Sequence, residues 1–263
     1  MPKMTIMMKS LPWLTAGLLA ATAAQAQDYD DVRLGSATRE GGRVGAALIA
    51  GHAYKGSDES KISLLPLVEY RWANGWFAGV GSGVGYEFYR GESGNAGIRV
   101  TPDFGRKESR SEALRGMGDV ERSAELGLYL NYALPVQGLG LHVSGRGGRN
   151  GVTADVGIAY GIPLAPTLRL RLGAAATVAN ARNMQTYFGV NDTQAANSGY
   201  APYAAGAGLR DARVSASLLY VLSPKWVLTG SLTSSTLLGD AADSPLTRQR
   251  TSLTALTSIS YGF

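Results

Sequence analysis

The sequence predicts an all-β fold, an antiparallel transmembrane β-barrel in the outer membrane of a Gram-negative bacterium, on three observations. First, the C-terminal stretch alternates, with Leu253, Ala255, Ile259, Tyr261 and Phe263 on one parity and Ser252, Thr254, Ser258 and Ser260 on the other. A period of two with an apolar face and a small polar face suits a strand between lipid and a polar lumen. Second, that strand ends on Phe263, two residues after Tyr261, an aromatic ending expected to serve as the assembly signal read by barrel-assembly machinery. Third, Lys3 and Lys9 precede a short apolar run from Leu11 to Ala24 and the small-residue site Ala24-Gln25-Ala26. This is the pattern of a secretory signal peptide, and its apolar core is too short to span a bilayer as a helix.

Cleavage is expected after Ala26, which assigns 1–26 to the signal peptide and 27–263 to one barrel domain, because no linker-like tract divides the remainder. The chain has no Cys, so a lipoprotein anchor, disulfides and thiolate metal sites are excluded. Without the signal peptide it carries 23 basic and 20 acidic residues, a scattered net charge of +3 and no nucleic-acid footprint. Beyond the signal peptide no apolar run reaches helical membrane-spanning length, which leaves a β-sandwich or a closed barrel.

Strands follow in chain order. After Arg43 to His52, the run Ile62 to Trp72 places Ile62, Leu64, Pro66, Val68, Tyr70 and Trp72 on one face, and the other face ends in Glu69 and Arg71. Trp76 to Phe88 sets Trp76, Ala78, Val80, Val84, Tyr86 and Phe88 against Gly79, Gly81, Gly83, Gly85 and Glu87. Gly97 to Phe104, Arg122 to Tyr132 and Gly138 to Arg146 come next. In Val152 to Tyr160 and Leu168 to Val178 the apolar face alternates with Thr153 and Asp155, and then with Arg169 and Arg171. Arg210 to Val221, Trp226 to Thr236 and the terminal strand bring the total to eleven. A sandwich would show the same alternation with its faces reversed, so the barrel rests on the signal peptide, the terminal aromatic and the aromatic placement together.

Bacterial barrels have even strand numbers. Trp72 and Trp76 bracket the turn Ala73-Asn74-Gly75, and Trp226 follows Ser223-Pro224-Lys225, as an interfacial belt beside periplasmic turns would. With both turns on one side, the count between them is one strand short. Tyr89 to Ser123 is where a short strand is expected, so twelve strands are predicted, with ten as the alternative. Ala181 to Gly208 and Leu237 to Gln249 read as long extracellular loops.

Several constellations invite a functional reading. His142 and Ser144 share one face with Asn150 near in sequence, the pattern of outer-membrane phospholipases, but their face is the lumen and no oxyanion donors are evident. Gly79-x-Gly81-x-Gly83-x-Gly85 lacks the strand-turn-helix context of a phosphate loop and reads as a bare inner face that something closely approaches. Glu69, Glu87, Glu125 and Asp155 share the inner face with Arg71, Arg169, Arg171 and Arg213, which predicts ion pairs that hold the lumen wall rather than acid–base catalysis on a glycan. Arg146 and Arg149 read as solvated turn charges, which an extracellular turn would bring within reach of lipopolysaccharide phosphates. Gly105 to Arg122, mixed in charge, reads as a solvated loop. No catalytic residue, cofactor or metal is predicted.

Six segments in order carry a family resemblance. The main ones are Tyr54-Lys55-Gly56-Ser57-Asp58, Leu65-Pro66-Leu67-Val68-Glu69-Tyr70-Arg71-Trp72, Met184-Gln185-Thr186-Tyr187-Phe188-Gly189-Val190 and Leu238-Gly239-Asp240-Ala241-Ala242-Asp243-Ser244-Pro245. Shorter echoes are Arg115-Gly116-Met117-Gly118-Asp119 and Ala207-Gly208-Leu209-Arg210-Asp211. Together they resemble the MltA-interacting protein / OmpV family of outer-membrane proteins. The resemblance implies a non-catalytic adaptor between a lytic transglycosylase and a penicillin-binding protein, surrounded by outer-membrane lipid and lipopolysaccharide. It makes Tyr54, Gly56, Ser57, Asp58, Tyr70, Arg71, Trp72, Tyr187, Phe188, Gly189, Asp240, Asp243, Ser244 and Pro245 candidate interaction residues. A channel for small solutes is the alternative, and a lipid-modifying enzyme at His142 and Ser144 the minor one.

Overall fold

The computed structural model describes residues 40–263, so the signal peptide and its cleavage site fall outside the described residues. The strands are β1 (Gly41–His52), β2 (Ser60–Arg71), β3 (Trp76–Gly79), β4 (Gly83–Gly91), β5 (Gly94–Asp103) and β6 (Ser123–Ala133). They continue as β7 (Leu139–Gly148), β8 (Gly151–Ala165), β9 (Leu168–Ala179), β10 (Gly208–Val221), β11 (Trp226–Leu237) and β12 (Thr251–Gly262). Each pairs antiparallel with its neighbour in sequence, and β12 pairs with β1 to close a twelve-stranded barrel. At the seam, the Gly42 N–H donates to the Phe263 carbonyl at 2.9 Å and the Phe263 N–H donates to the Gly42 carbonyl at 3.0 Å. A bilayer core offers no water to unpaired backbone groups, so closure is what lets strands cross it.

The faces follow the predicted phase. Leu253 and Phe263 are each 60% exposed, whereas Ser258 and Ser260 are buried against the lumen. On β6, Leu126, Leu128 and Leu130 face out while Glu125 and Tyr129 are buried inside. The inner wall is less polar than the alternation suggests. Ala47 and Ile49 of β1, Leu65 and Leu67 of β2 and Leu256 of β12 form an apolar cluster on it.

The hidden strand is not in Tyr89 to Ser123. It lies inside Trp76 to Phe88, which is a hairpin of β3 and β4 rather than one strand. The two strands pair Trp76 with Tyr86, Ala78 with Val84 and Gly79 with Gly83. Paired residues share a face, so the outward set continues unbroken through the reversal and the sequence shows no interruption. Gly83, at φ +74°, sits so close to the Val100 carbonyl that no larger residue fits without a shift. The split also places the Trp72–Trp76 and Trp226 turns at one end, as their aromatic flanks predicted. That end carries the short turns and is therefore periplasmic. A belt of rings marks it: Tyr70 meets Trp72 at 4.9 Å, Trp76 meets Tyr86 at 5.4 Å and Trp226 meets Tyr261 at 5.2 Å between centroids.

Leu128 stands at the middle of β6 on the lipid face, 61% exposed. Leu128→Arg is expected to cost on the order of 2–4 kcal/mol, the range for a cation at mid-bilayer on a barrel's outer face. Reversible urea unfolding from lipid vesicles measures it, and a change under roughly 1 kcal/mol would place Leu128 away from lipid.

Candidate functional site

The extracellular end is closed by four connections that fold into one cap. The β9–β10 connection forms α1 (Ala181–Phe188) and α2 (Asp192–Ser198), and the β11–β12 connection forms α3 (Gly239–Asp243). The sequence read these segments only as loops, although their caps are legible. The Asn180 side chain accepts from the Asn183 N–H to start α1. Asn191 and Gln194 make a reciprocal capping box on α2, which ends on left-handed Gly199. Met184, Phe188, Ala205, Leu237 and Ala241 form the cap's main apolar cluster, and Met117, Val190 and Leu246 form a second.

Five of the six segments that carried the resemblance meet here, while Leu65 to Trp72 runs along β2 to the periplasmic end. The Tyr54 hydroxyl donates to the Leu246 carbonyl at 2.9 Å, and the Gly56 carbonyl accepts from the N–H groups of Arg248 and Gln249. Ser57 is fully buried, and Asp58 is exposed beside it. The Tyr187 hydroxyl donates to both Asp103 carboxylate oxygens at 2.9 and 3.0 Å, and its carbonyl accepts from Arg106 at 2.6 Å. Ser244 donates to the Phe188 carbonyl at 2.6 Å. Asp240 accepts from the Gly206 N–H, and Asp243 pairs with Arg250. Gly189 and Pro245 flank these contacts. Gly105 to Arg122 is not simply solvated, since Leu114 and Arg106 are buried in the cap.

Below the cap a polar network runs along the lumen wall. Glu87 of β4 accepts from Arg71 of β2 at 2.8 Å, Asn95 of β5 at 2.7 Å and Tyr129 of β6 at 3.0 Å, and Arg71 also pairs with Glu69. Asn131 carries the chain on, donating to Asn95 and lying 2.7 Å from His142 Nδ1. His142 Nε2 lies 3.2 Å from the Ser144 hydroxyl. A second arc joins Arg213 of β10 to Asp155 of β8 at 3.0 Å and to Asp211 at 3.3 Å. Thr177 donates to Asp155 within the same arc.

Of the predicted inner charges, Glu69, Glu87, Asp155, Arg71 and Arg213 pair as expected. Arg146 does not sit in a turn: it is on β7 facing inward, 3.5 Å from Glu125 and 3.9 Å from Asp155, while Arg149 is exposed and pairs with Glu121. The residue beside His142 is Asn131 and not Asn150, which instead donates to Asp103 and to the Glu121 carbonyl. Ser144 is nearly buried, and its strand is paired on both sides, so the neighbouring backbone N–H groups serve the ladder and not an oxyanion. The glycines at 85 and 97 do admit a close neighbour, the rings of Phe77 and Tyr129.

Toward the periplasm the lumen widens into a cavity of about 1670 Å³. Its lining runs from the ends of β1 and β2, over the turns at Arg90–Asn95 and Tyr132–Leu141, to Arg169 and Arg171 on β9.

The family profile described as MltA-interacting protein MipA matches residues 44–263. No curated protein matches the chain. Among solved structures, it is similar to the COG4313 outer membrane channel from Pseudomonas putida F1, at 10% identity and TM-score 0.44, over 88% of this chain and 98% of that one. It is also similar to the CymD monoaromatic hydrocarbon channel, at 10% identity and TM-score 0.42, over 85% and 88% of the two chains.

Two predictions follow from the cap and the network. Burial pushes the Tyr54 phenol up to about 12, and burial together with Asp103 raises that of Tyr187. The folded cap thus keeps phenols neutral that ionise near pH 10 when released, so their stabilisation is complete below pH ~10 and lost as pH rises toward ~12. Protease cleavage within 180–207 should rise steeply across that interval, and Tyr54→Phe should flatten the rise while weakening the cap by about 1 kcal/mol. Glu87→Ala, which leaves Arg71 with Glu69 alone, is expected to destabilise the barrel by on the order of 3 kcal/mol in urea unfolding. A loss under ~1 kcal/mol would mean that the network is not holding the wall.

Proposed function

Because this chain belongs to the MltA-interacting protein (MipA) family, we propose that this outer-membrane barrel acts as a non-catalytic adaptor. It holds a lytic transglycosylase, and with it a penicillin-binding protein, against the inner side of the membrane. The observation that carries this reading is the difference between the two ends. The extracellular end is built over by a cap with its own apolar clusters, which disfavours steady passage of solutes. The periplasmic end presents short turns set among aromatic rings and an open mouth, the side on which murein enzymes work. The cavity itself favours a second reading, a channel for small solutes, in which the cap would have to open.

Retention of murein enzymes from a detergent extract on the immobilised protein separates the two. Binding is expected to survive substitutions at exposed cap positions such as Asp192 and to fail when the turns at Asn74 and Lys225 are altered together. In planar bilayers little steady conductance is expected. Large, stable single-channel steps with no enzyme retained would favour the channel.

A further inference from the structure

We propose that the periplasm-facing cavity receives this chain's own N-terminal segment, Gln27 to Arg39, which precedes the described residues and holds the acidic run Asp28-Tyr29-Asp30-Asp31. At about 1670 Å³ the cavity exceeds the range of roughly 300–1,000 Å³ that suits a small molecule, so it takes a length of peptide. The chain arrives at its rim. Glu40, Gly41 and Gly42 line the cavity, and Gly41, at φ +148°, allows the backbone to change course at the start of β1. Asp31 is nine residues before Glu40, and an extended chain spans about 3.3 Å per residue, which gives the acidic run a reach of about 30 Å. Along β9 the lining from Arg169 to Ala175 covers about 20 Å of strand. The segment is therefore long enough to traverse the site.

Charge and surface both suit that occupant. Six arginines line the cavity against three glutamates, and positive charge held in a cleft with low-dielectric walls draws carboxylates into it. Arg71 and Arg213 are committed to wall carboxylates. Exposed toward the mouth are Arg43, opposite Glu69 on β2, Arg90, which also donates to the Ala73 carbonyl, and Arg169. Three aspartates within four residues complement them. On the far side of the lumen from β1 the wall is bare. Ala159 is in register with Gly140 and Gly173, and Gly157 with Ala175, all five lining the cavity. Such a surface lets a second backbone come close. Attachment decides between this segment and a separate peptide, since a short tether holds its end at an effective concentration on the order of mM.

The test contains no enzyme, so its failure leaves the adaptor reading untouched. The chain has no Cys, and Ala175→Cys therefore places a single thiol on the bare wall. The protein is purified from outer membranes, and mass spectrometry is expected to find its first residue at Gln27. In detergent, N-ethylmaleimide should modify Cys at 175 about 10-fold or more slowly in this chain than in one lacking 27–36. Asp28→Asn/Asp30→Asn/Asp31→Asn, or added salt, should recover part of that difference. Asp192→Cys, on the exposed cap, should react alike with and without the segment, and heat-modifiable gel mobility checks that each variant is folded. Equal rates at 175 in the two folded chains overturn the proposal, as does a mature chain that starts beyond Asp31. Protection that appears only at high protein concentration, the mark of a second copy, or only when a murein peptide is added, overturns it as well.

Discussion

The carboxylate of Glu87 is the point on which the lower half of this barrel turns. Buried in the lumen, it accepts from Arg71, Asn95 and Tyr129 and so ties β2, β5 and β6 to β4. A lone buried carboxylate is costly, and this one is tolerable because three donors converge on it. The neighbouring sequence serves that convergence. Gly85 leaves room for the Phe77 ring and Gly97 for the Tyr129 ring, and those rings fill the space beside the network, with Arg71 lying 5.1 Å over Phe77.

Most of the barrel was legible because lipid imposes a rule that every strand obeys. The outward face must be apolar whatever the loops do, so phase and strand positions can be read from Ile62 to Trp72 or from Leu253 to Phe263 without tertiary knowledge. The same rule hid the β3–β4 reversal, since Trp76 and Tyr86 are cross-strand partners on the same face and alternation does not register a change of direction. The family motifs were legible as a set but not as a place. That Tyr54 and Leu246 touch across 192 residues of chain is a fact of closure, which brings the first and last connections side by side. Asn131 was missed as the partner of His142 for a related reason: the pair lies across the β6–β7 ladder, where register, and not proximity in sequence, sets contact.

The cap and the open mouth divide the molecule's chemistry. Above, apolar clusters and neutral phenols lock the connections together, and the second arc around Asp155 and Asp211 gives them a charged floor. Lys55 of the first connection reaches that floor at Asp211, so the cap is joined to the wall electrostatically as well as by packing. Below, the described residues line a cavity of about 1670 Å³ at the periplasmic end.

The shortness of β3 has a mechanical meaning. β2 is matched to β1 over twelve residue pairs and the β1–β12 seam runs over eight, but the β2–β3 ladder pairs just Glu69, Tyr70 and Arg71, with one backbone hydrogen bond beyond each end, Val80 to Val68 and Trp72 to Trp76. A cylinder yields where its staves are least fastened. The Arg71–Glu87 ion pair, which joins β2 to β4 past β3, falls at that same joint and acts as a rivet through the thinnest part of the wall. Any force that splays the barrel therefore loads one guanidinium before it loads the seam between the chain's two ends.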